Sequence, residues 1–290
     1  MAAGSGEEER SGTGGGPGLA FRWLGGRETL VGGTAVHLES AKTEALLAWI
    51  LLNPGPHARS RLKALLWPDF SEERASAGLR RALWDLKRKL APDGGPFVLR
   101  VSRGEVEIDP GPAFDLDVRA FLEVAGRSGR TGAGGRDARW AEEAVTLYRG
   151  ELLAGLAVED APAFEEWLLG ERESLRLLGL AALRSLVAFH RERGEWARAL
   201  AHARRLLALD PWLEEGHRDV AELLALTGRR GAAIRQLEAC RRVLADELGA
   251  APSRETVALE RKLRGEPASD GEPRPAAGPA FAGPRNNLPI

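Results

Sequence analysis

The chain has 290 residues, enough for two domains of ordinary size that each bury a core. Its 41 basic and 42 acidic residues leave a formal charge of −1, so any nucleic-acid site must be a local patch and not a property of the whole surface. One cysteine, Cys240, excludes an internal disulfide framework, and no apolar run approaches the roughly 20 residues that span a bilayer; a protein of the reducing cytoplasm without a membrane partner is expected.

Residues 1–18 lack the apolar core of a signal peptide and read as a disordered tail. Beyond Leu19, FRWLGG and TAVHLE alternate apolar and polar residues around the turn-rich GGRETLVGG and predict a short antiparallel pair. Ser40 precedes AKTEALLAWILLN, where Leu46, Leu47, Ile50 and Leu51 supply a helical apolar stripe that ends at Asn53-Pro54-Gly55. SRLKALLW predicts a second helix, opened by Ser60 and closed by Pro68. A third, EERASAGLRRALWDLKRKL, starts behind Ser71, with Arg74 where a capping box would carry Glu. It stops at Ala91-Pro92, before the turn Asp93-Gly94-Gly95. FVLRVS and EVEID then form a hairpin across Arg103-Gly104. Strands, three helices and a hairpin make a winged helix-turn-helix over residues 19–112.

After Pro112 the strand signal fades. DLDVRAFLEVAGR predicts one helix, the Gly-rich SGRTGAGGRD a loop, and ARWAEEAVTLY another helix. A long helix over FEEWLLGERESLRLLGLAALRSLVAFHRERG and four further helical stretches carry the chain to Gly265. Gly194 and Gly228 lie 34 residues apart, as do Ala199 and Ala233, the spacing of tetratricopeptide helix pairs. The glycine frees the turn, the alanine permits close helix approach, and Pro211 closes the first unit. Residues 113–265 are therefore expected to form an all-α tetratricopeptide-like domain, and the Pro/Gly/Ala-rich residues 266–290 a linker or tail. The fold class is mainly α with a small β component.

The third helix carries the functional signal. Leu79, Leu83, Leu86 and Leu90 share one face and form its core stripe. At about 100° per residue, Arg74, Ala77, Arg81, Trp84 and Arg88 point away from that stripe, with Arg80 and Lys87 on its flank. Arginine's planar fork binds guanine O6 and N7, or grips phosphate. Lys87, Lys89, Arg100 and Arg103 read as phosphate contacts that set register, and the wing tip Arg103-Gly104 can enter an adjacent minor groove. Arg59, Ser60 and Arg61 place donors and positive charge at a helix start, an anion site. The alternative is a solvated basic face on an ordinary bundle helix. Trp84 has two readings, a contact with DNA or packing against the helical domain.

No catalytic constellation competes. The only Lys-Thr pair, Lys42-Thr43, lacks both glycines of a phosphate-binding loop. His37, His57, His190, His202 and His217 are scattered without metal-ligand spacing, and the paired-cysteine, H-E-x-x-H and G-x-S-x-G motifs do not occur. No enzyme, no cofactor and no metal are expected.

The order strand pair, ALLAWILLNPG, SRLKALLWPD, ASAGLRRALWDLKRKL and hairpin resembles the OmpR-type winged helix. AVTLYRGELLAGL, FEEWLLGERESLR and the stretch from RRLLALDPW to ELGAAPSRETVAL resemble the bacterial transcriptional activator domain. Together, over roughly residues 19–265, the chain is similar to the Streptomyces antibiotic regulatory proteins and AfsR-like regulators. That resemblance implies a DNA-binding transcriptional regulator, usually an activator. It implies binding to direct repeats as paired monomers, contact with RNA polymerase and its sigma factor, and, in larger members, a following ATPase module whose junction reads much like RNNLPI. It also sets Asp85 where relatives commonly carry a DNA-facing arginine; a carboxylate there can accept from cytosine N4 but repels phosphate. Two other functions are weighed beside this one. One is a tetratricopeptide-type interaction adaptor, which Asp85 favours; the other is the N-terminal half of an ATP-dependent signalling regulator.

Overall fold

The computed structural model describes residues 18–91, 98–109, 114–127 and 138–265. The expected tails, the turn at Asp93-Gly94-Gly95, Pro112 and the Gly-rich loop after Arg127 lie outside these residues. The chain forms two compact units, one ending at Leu209 and one starting at Asp210.

The first unit opens with β1 (Leu19–Arg22), β2 (Glu28–Val31) and β3 (Thr34–Ala35), to which β7 (Phe114–Leu116) adds in the order β3-β2-β1-β7. Here the sheet departs from expectation. Residues ETLV, read as part of a turn, pair as β2 with β1 in antiparallel register, Leu19 facing Val31. The turns are confined to the glycines on either side: Gly25, Gly32 and Gly33 take left-handed backbone conformations, which leaves the β-favouring Thr29 and Val31 extended. DLDVRAFLEVAGR is likewise not one helix. Phe114, Asp115 and Leu116 pair in parallel with β1, and α4 (Asp117–Ala125) begins only behind them.

Helix α1 (Ala41–Leu52) is capped by the Ser40 hydroxyl, which accepts the Thr43 N–H. Ala45 to Leu51 are all buried, as expected of a helix that is apolar on every side. Strand β4 (His57–Ala58), β5 (Val98–Val101) and β6 (Glu105–Asp109) form a second sheet in the order β4-β6-β5. Because β4 runs straight into α2 (Arg59–Leu66), that helix opens one residue earlier than expected. Ala58, not Ser60, stands at its cap without a side-chain bond, and the Arg59 N–H donates to the Gly104 carbonyl at 2.9 Å. The wing tip thereby satisfies a donor that the helix cannot satisfy itself.

Helices α5 (Arg139–Leu147), α6 (Pro162–Glu192) and α7 (Trp196–Leu209) complete the first unit. The segment Tyr148–Leu153, YRGELL, fastens the N-terminal sheet. Gly25 donates its N–H to the Glu151 carbonyl at 2.9 Å and Leu153 to that of Trp23 at 2.8 Å, and Leu24 bridges Leu152. A Cβ on Gly150 would stand 3.1 Å from the Gly25 Cα, so the glycine allows the two backbones to meet. The buried carboxylate of Asp117 accepts the Trp23 and Leu24 N–H groups at 2.9 and 3.1 Å and pairs with Arg149 at 2.9 Å.

The second unit contains α8 (Glu214–Leu226), α9 (Arg230–Leu248) and α10 (Arg254–Arg264). The repeat expected from the 34-residue spacing is present in the bonding of both turns. Gly194 donates to Arg191 and Glu195 to His190; Gly228 donates to Ala225 and Arg229 to Leu224. Both glycines are left-handed, and Ala199 and Ala233 are fully buried. Cys240 is buried, and burial pushes its thiol up to about 11, far from reactivity.

Candidate nucleic-acid interface

Helix α3 (Glu72–Leu90) is capped at Ser71, whose hydroxyl accepts the Arg74 N–H. Glu72 and Glu73 lie in its first turn and Lys87, Arg88 and Lys89 in its last, each sign matching the helix dipole. Leu79, Leu83, Leu86 and Leu90 are buried, which fixes the face that remains. On that face Arg74, Ala77, Arg80, Arg81, Trp84, Lys87 and Arg88 are exposed. Both the stripe and the outward set agree with the helical period.

Trp67 and Gly78 set the height of α3. A Cβ on Gly78 would lie 2.8 Å from Trp67 Nε1, so the glycine lets the buried indole pack directly on the helix backbone. This pairing joins the residue before Pro68 to the middle of α3 and has no signature in the local sequence. Lys42 stands over the Trp67 and Phe70 rings, 5.5 and 4.8 Å from their centroids, and pairs with Asp160 at 2.6 Å.

Around α3, Arg103 at the wing tip is exposed. The turn that presents it is drawn tight by the Ser102 hydroxyl, which accepts the Gly104 and Glu105 N–H groups at 3.3 and 2.9 Å. Arg100 lies 3.7 Å from Glu107 across the hairpin. At the start of α2, Ser60 and Arg61 are exposed and Arg59 is half-buried, with the Arg61 guanidinium 5.4 Å above the Trp49 ring. Trp84 is 57% exposed; it carries the Arg88 guanidinium at 4.6 Å from its ring and does not bury itself against the helical region.

Asp85 is the correction. Expected to face outward, it is 1% exposed. One oxygen accepts the Glu39 N–H at 2.9 Å and the other lies 3.3 Å from Arg88. The reason is position: Asp85 sits on the side of α3 turned toward the segment leading into α1, where an unpaired backbone donor needs an acceptor. Glu39, which sequence reasoning missed, belongs to the same cluster. Its carboxylate reaches Arg88 at 2.6 Å and Arg81 at 3.5 Å. Its only sequence signal is its place just ahead of a capping serine, and that does not reveal a partner 49 residues away.

Among the described residues no group of three His, Cys, Asp or Glu side chains could hold a metal ion, and no helix is long and apolar enough to cross a membrane.

Residues 116–264 match the family described as the bacterial transcriptional activator domain. The chain is 29% identical over 271 residues to the regulatory protein AfsR of Streptomyces coelicolor; the match covers 90% of this chain and 25% of AfsR, so the chain spans about a quarter of that relative's length. Its fold is similar to that of Mycobacterium tuberculosis EmbR, solved in complex with a low-affinity phosphopeptide. The TM-score is 0.63 at 23% identity, over 86% of this chain and 66% of that one.

Proposed function

We propose that the chain, which belongs to the bacterial transcriptional activator domain family, is a regulator of the Streptomyces antibiotic regulatory protein type that activates transcription by binding double-stranded DNA. Residues 19–112 serve as the DNA-binding module and residues 113–265 as the activator domain. In this reading α3 enters the major groove, where Arg74, Arg80, Arg81 and Arg88 reach bases or phosphates and Trp84 lies against the groove wall. Lys87 and the start of α2, with Arg59, Ser60 and Arg61, hold the phosphate backbone, and Arg103 reaches from the wing toward the next minor groove. The helical region contacts RNA polymerase and its sigma factor and supports paired monomers on direct repeats. The protein works in the cytoplasm and catalyses no reaction.

The observation that carries this reading is the outward basic face of α3 opposite a buried leucine stripe, with an exposed wing arginine beside it. The adaptor reading drew its support from Asp85, but that carboxylate is turned inward onto the Glu39 N–H and Arg88 and does not stand as a bare charge on the outer face.

Selection of bound duplexes from a random DNA pool with the full chain, at two salt concentrations, tests the proposal. Enrichment of a direct repeat spaced about one helical turn, with binding that weakens steeply as salt rises, is the expected result. Retention of no DNA at low salt would sink the DNA-binding reading and return the adaptor.

A further inference from the structure

We propose that Glu39 determines specificity by acting as an internal substitute for DNA phosphate, holding Arg81 and Arg88 until a matching site displaces it. This inference rests on the DNA-binding reading and concerns how selective the binding is.

Arg81 and Arg88 lie seven residues apart, two turns of one helix face. The Glu39 carboxylate addresses both: one oxygen lies 2.6 Å from Arg88 Nη2, the other 3.5 Å from Arg81 Nη2. A carboxylate and a phosphate offer a guanidinium the same kind of paired oxygen acceptors. The cluster contains two carboxylates, Glu39 and Asp85, and two guanidiniums, so its local charge sums to zero. Random DNA, which attracts a protein through phosphate contacts alone, therefore gains little from these two arginines.

Glu39 is also held in place. Its N–H is fixed by the buried Asp85 carboxylate at 2.9 Å, and the next residue, Ser40, caps α1. The main chain is thus anchored at two points while the side chain remains 32% exposed. The carboxylate can swing off the arginines without the segment unfolding, and it stays within reach to return. Arg81 is 80% exposed, so a phosphate or a base edge can approach it from solvent as the carboxylate leaves. Asp85 thereby acquires a role as the residue that positions Glu39.

The test compares the full-length wild type with Glu39→Gln and with Glu44→Gln. Glu44 also belongs to the start of α1, but it pairs with Arg27 and not with α3; its substitution removes the same charge without touching the cluster. Anisotropy titrations use a random-sequence duplex and the duplex enriched by selection, over a range of salt. Glu39→Gln should bind the random duplex roughly 3- to 10-fold more tightly at low salt, with a salt slope steeper by about one phosphate contact. It should gain less on the selected duplex, so the ratio between the two falls, while Glu44→Gln should track the wild type. Equal tightening by both variants would overturn the proposal in favour of diffuse charge. So would a Glu39→Gln protein that binds as the wild type does. If no protein retains either duplex, the DNA-binding reading fails and the proposal fails with it.

Discussion

A Cβ at position 78 would stand 2.8 Å from Trp67 Nε1 and 2.9 Å from Trp67 Cε2, so a methyl group there forces the indole off the helix. Alanine gains about 1 kcal/mol over glycine inside a helix, but overpacking a filled site costs about 1–3 kcal/mol. Gly78→Ala should therefore lower stability by up to roughly 2 kcal/mol, seen as a lower urea midpoint; a raised midpoint would mean that Trp67 moves aside freely. His202 offers a test of the first unit in pH. Burial holds its pKa below the usual 6.5, helped by the His190 ring stacked 5.3 Å away and by Arg205 and Arg198, against the opposing pull of Glu142. With a depressed folded pKa, the native state binds fewer protons than the unfolded chain just below pH 6.5. Stability should then fall as pH drops through that window, before the carboxylates begin to titrate, and His202→Gln should flatten the decline. Asp85 and Gly78 could both be located on α3 from the sequence, yet their roles could not. Each depends on a partner brought in by tertiary folding, the Glu39 backbone in one case and the Trp67 ring in the other.

At the scale of elements, most of what could be read locally was read correctly, strand β2 in the segment taken for a turn being an exception. The leucine stripe of α3, the Ser40 and Ser71 caps and the wing hairpin all follow from periods of a few residues. β7 and the opening of α2 escaped because their causes are distant: a three-residue strand that pairs with β1, and a helix donor satisfied from the wing tip. Asp117 sits at the first of these junctions. Replacing it by alanine strips the acceptor from two buried N–H groups, each worth about 1–3 kcal/mol, while the half-exposed Arg149 regains water. Asp117→Ala should lose roughly 2–4 kcal/mol in thermal or urea unfolding and Asp117→Asn about half that; no loss would show that water replaces the carboxylate. On α3, Arg81→Ala should cost about 1–3 kcal/mol and relax preference at one base position, whereas Lys87→Ala should weaken all sequences alike. Equal losses on selected and random duplexes for Arg81→Ala would deny it a reading role.

Across the first unit as a whole, the helices that precede the wing and the helices that follow it share one core. The Trp49 ring of α1 meets the Trp167 ring of α6 at 4.8 Å, Lys42 pairs with Asp160, and YRGELL is bonded to the turn after β1. The similarity of YRGELL to known relatives was visible in the sequence, but its task of joining a sheet to a helical array was not, since no local pattern encodes it. A fragment ending at residue 112 lacks β7, Asp117 and this strip, and leaves Trp49 uncovered. It should unfold without cooperativity, whereas a fragment ending at Leu209 should give a single sharp transition by circular dichroism. A sharp transition from the shorter fragment would show that the α3 region is self-sufficient.

The pairing of β1 with β7 also bears on how the protein is made. Trp23 and its acceptor Asp117 are 94 residues apart, so the first strand leaves the ribosome long before β7 and Asp117 exist. At roughly 5–20 residues per second, Leu19, Ala20 and Phe21, all destined for the interior, wait several seconds in the open beside β2 alone. During synthesis this strand edge stays uncovered until residues 114–117 have emerged.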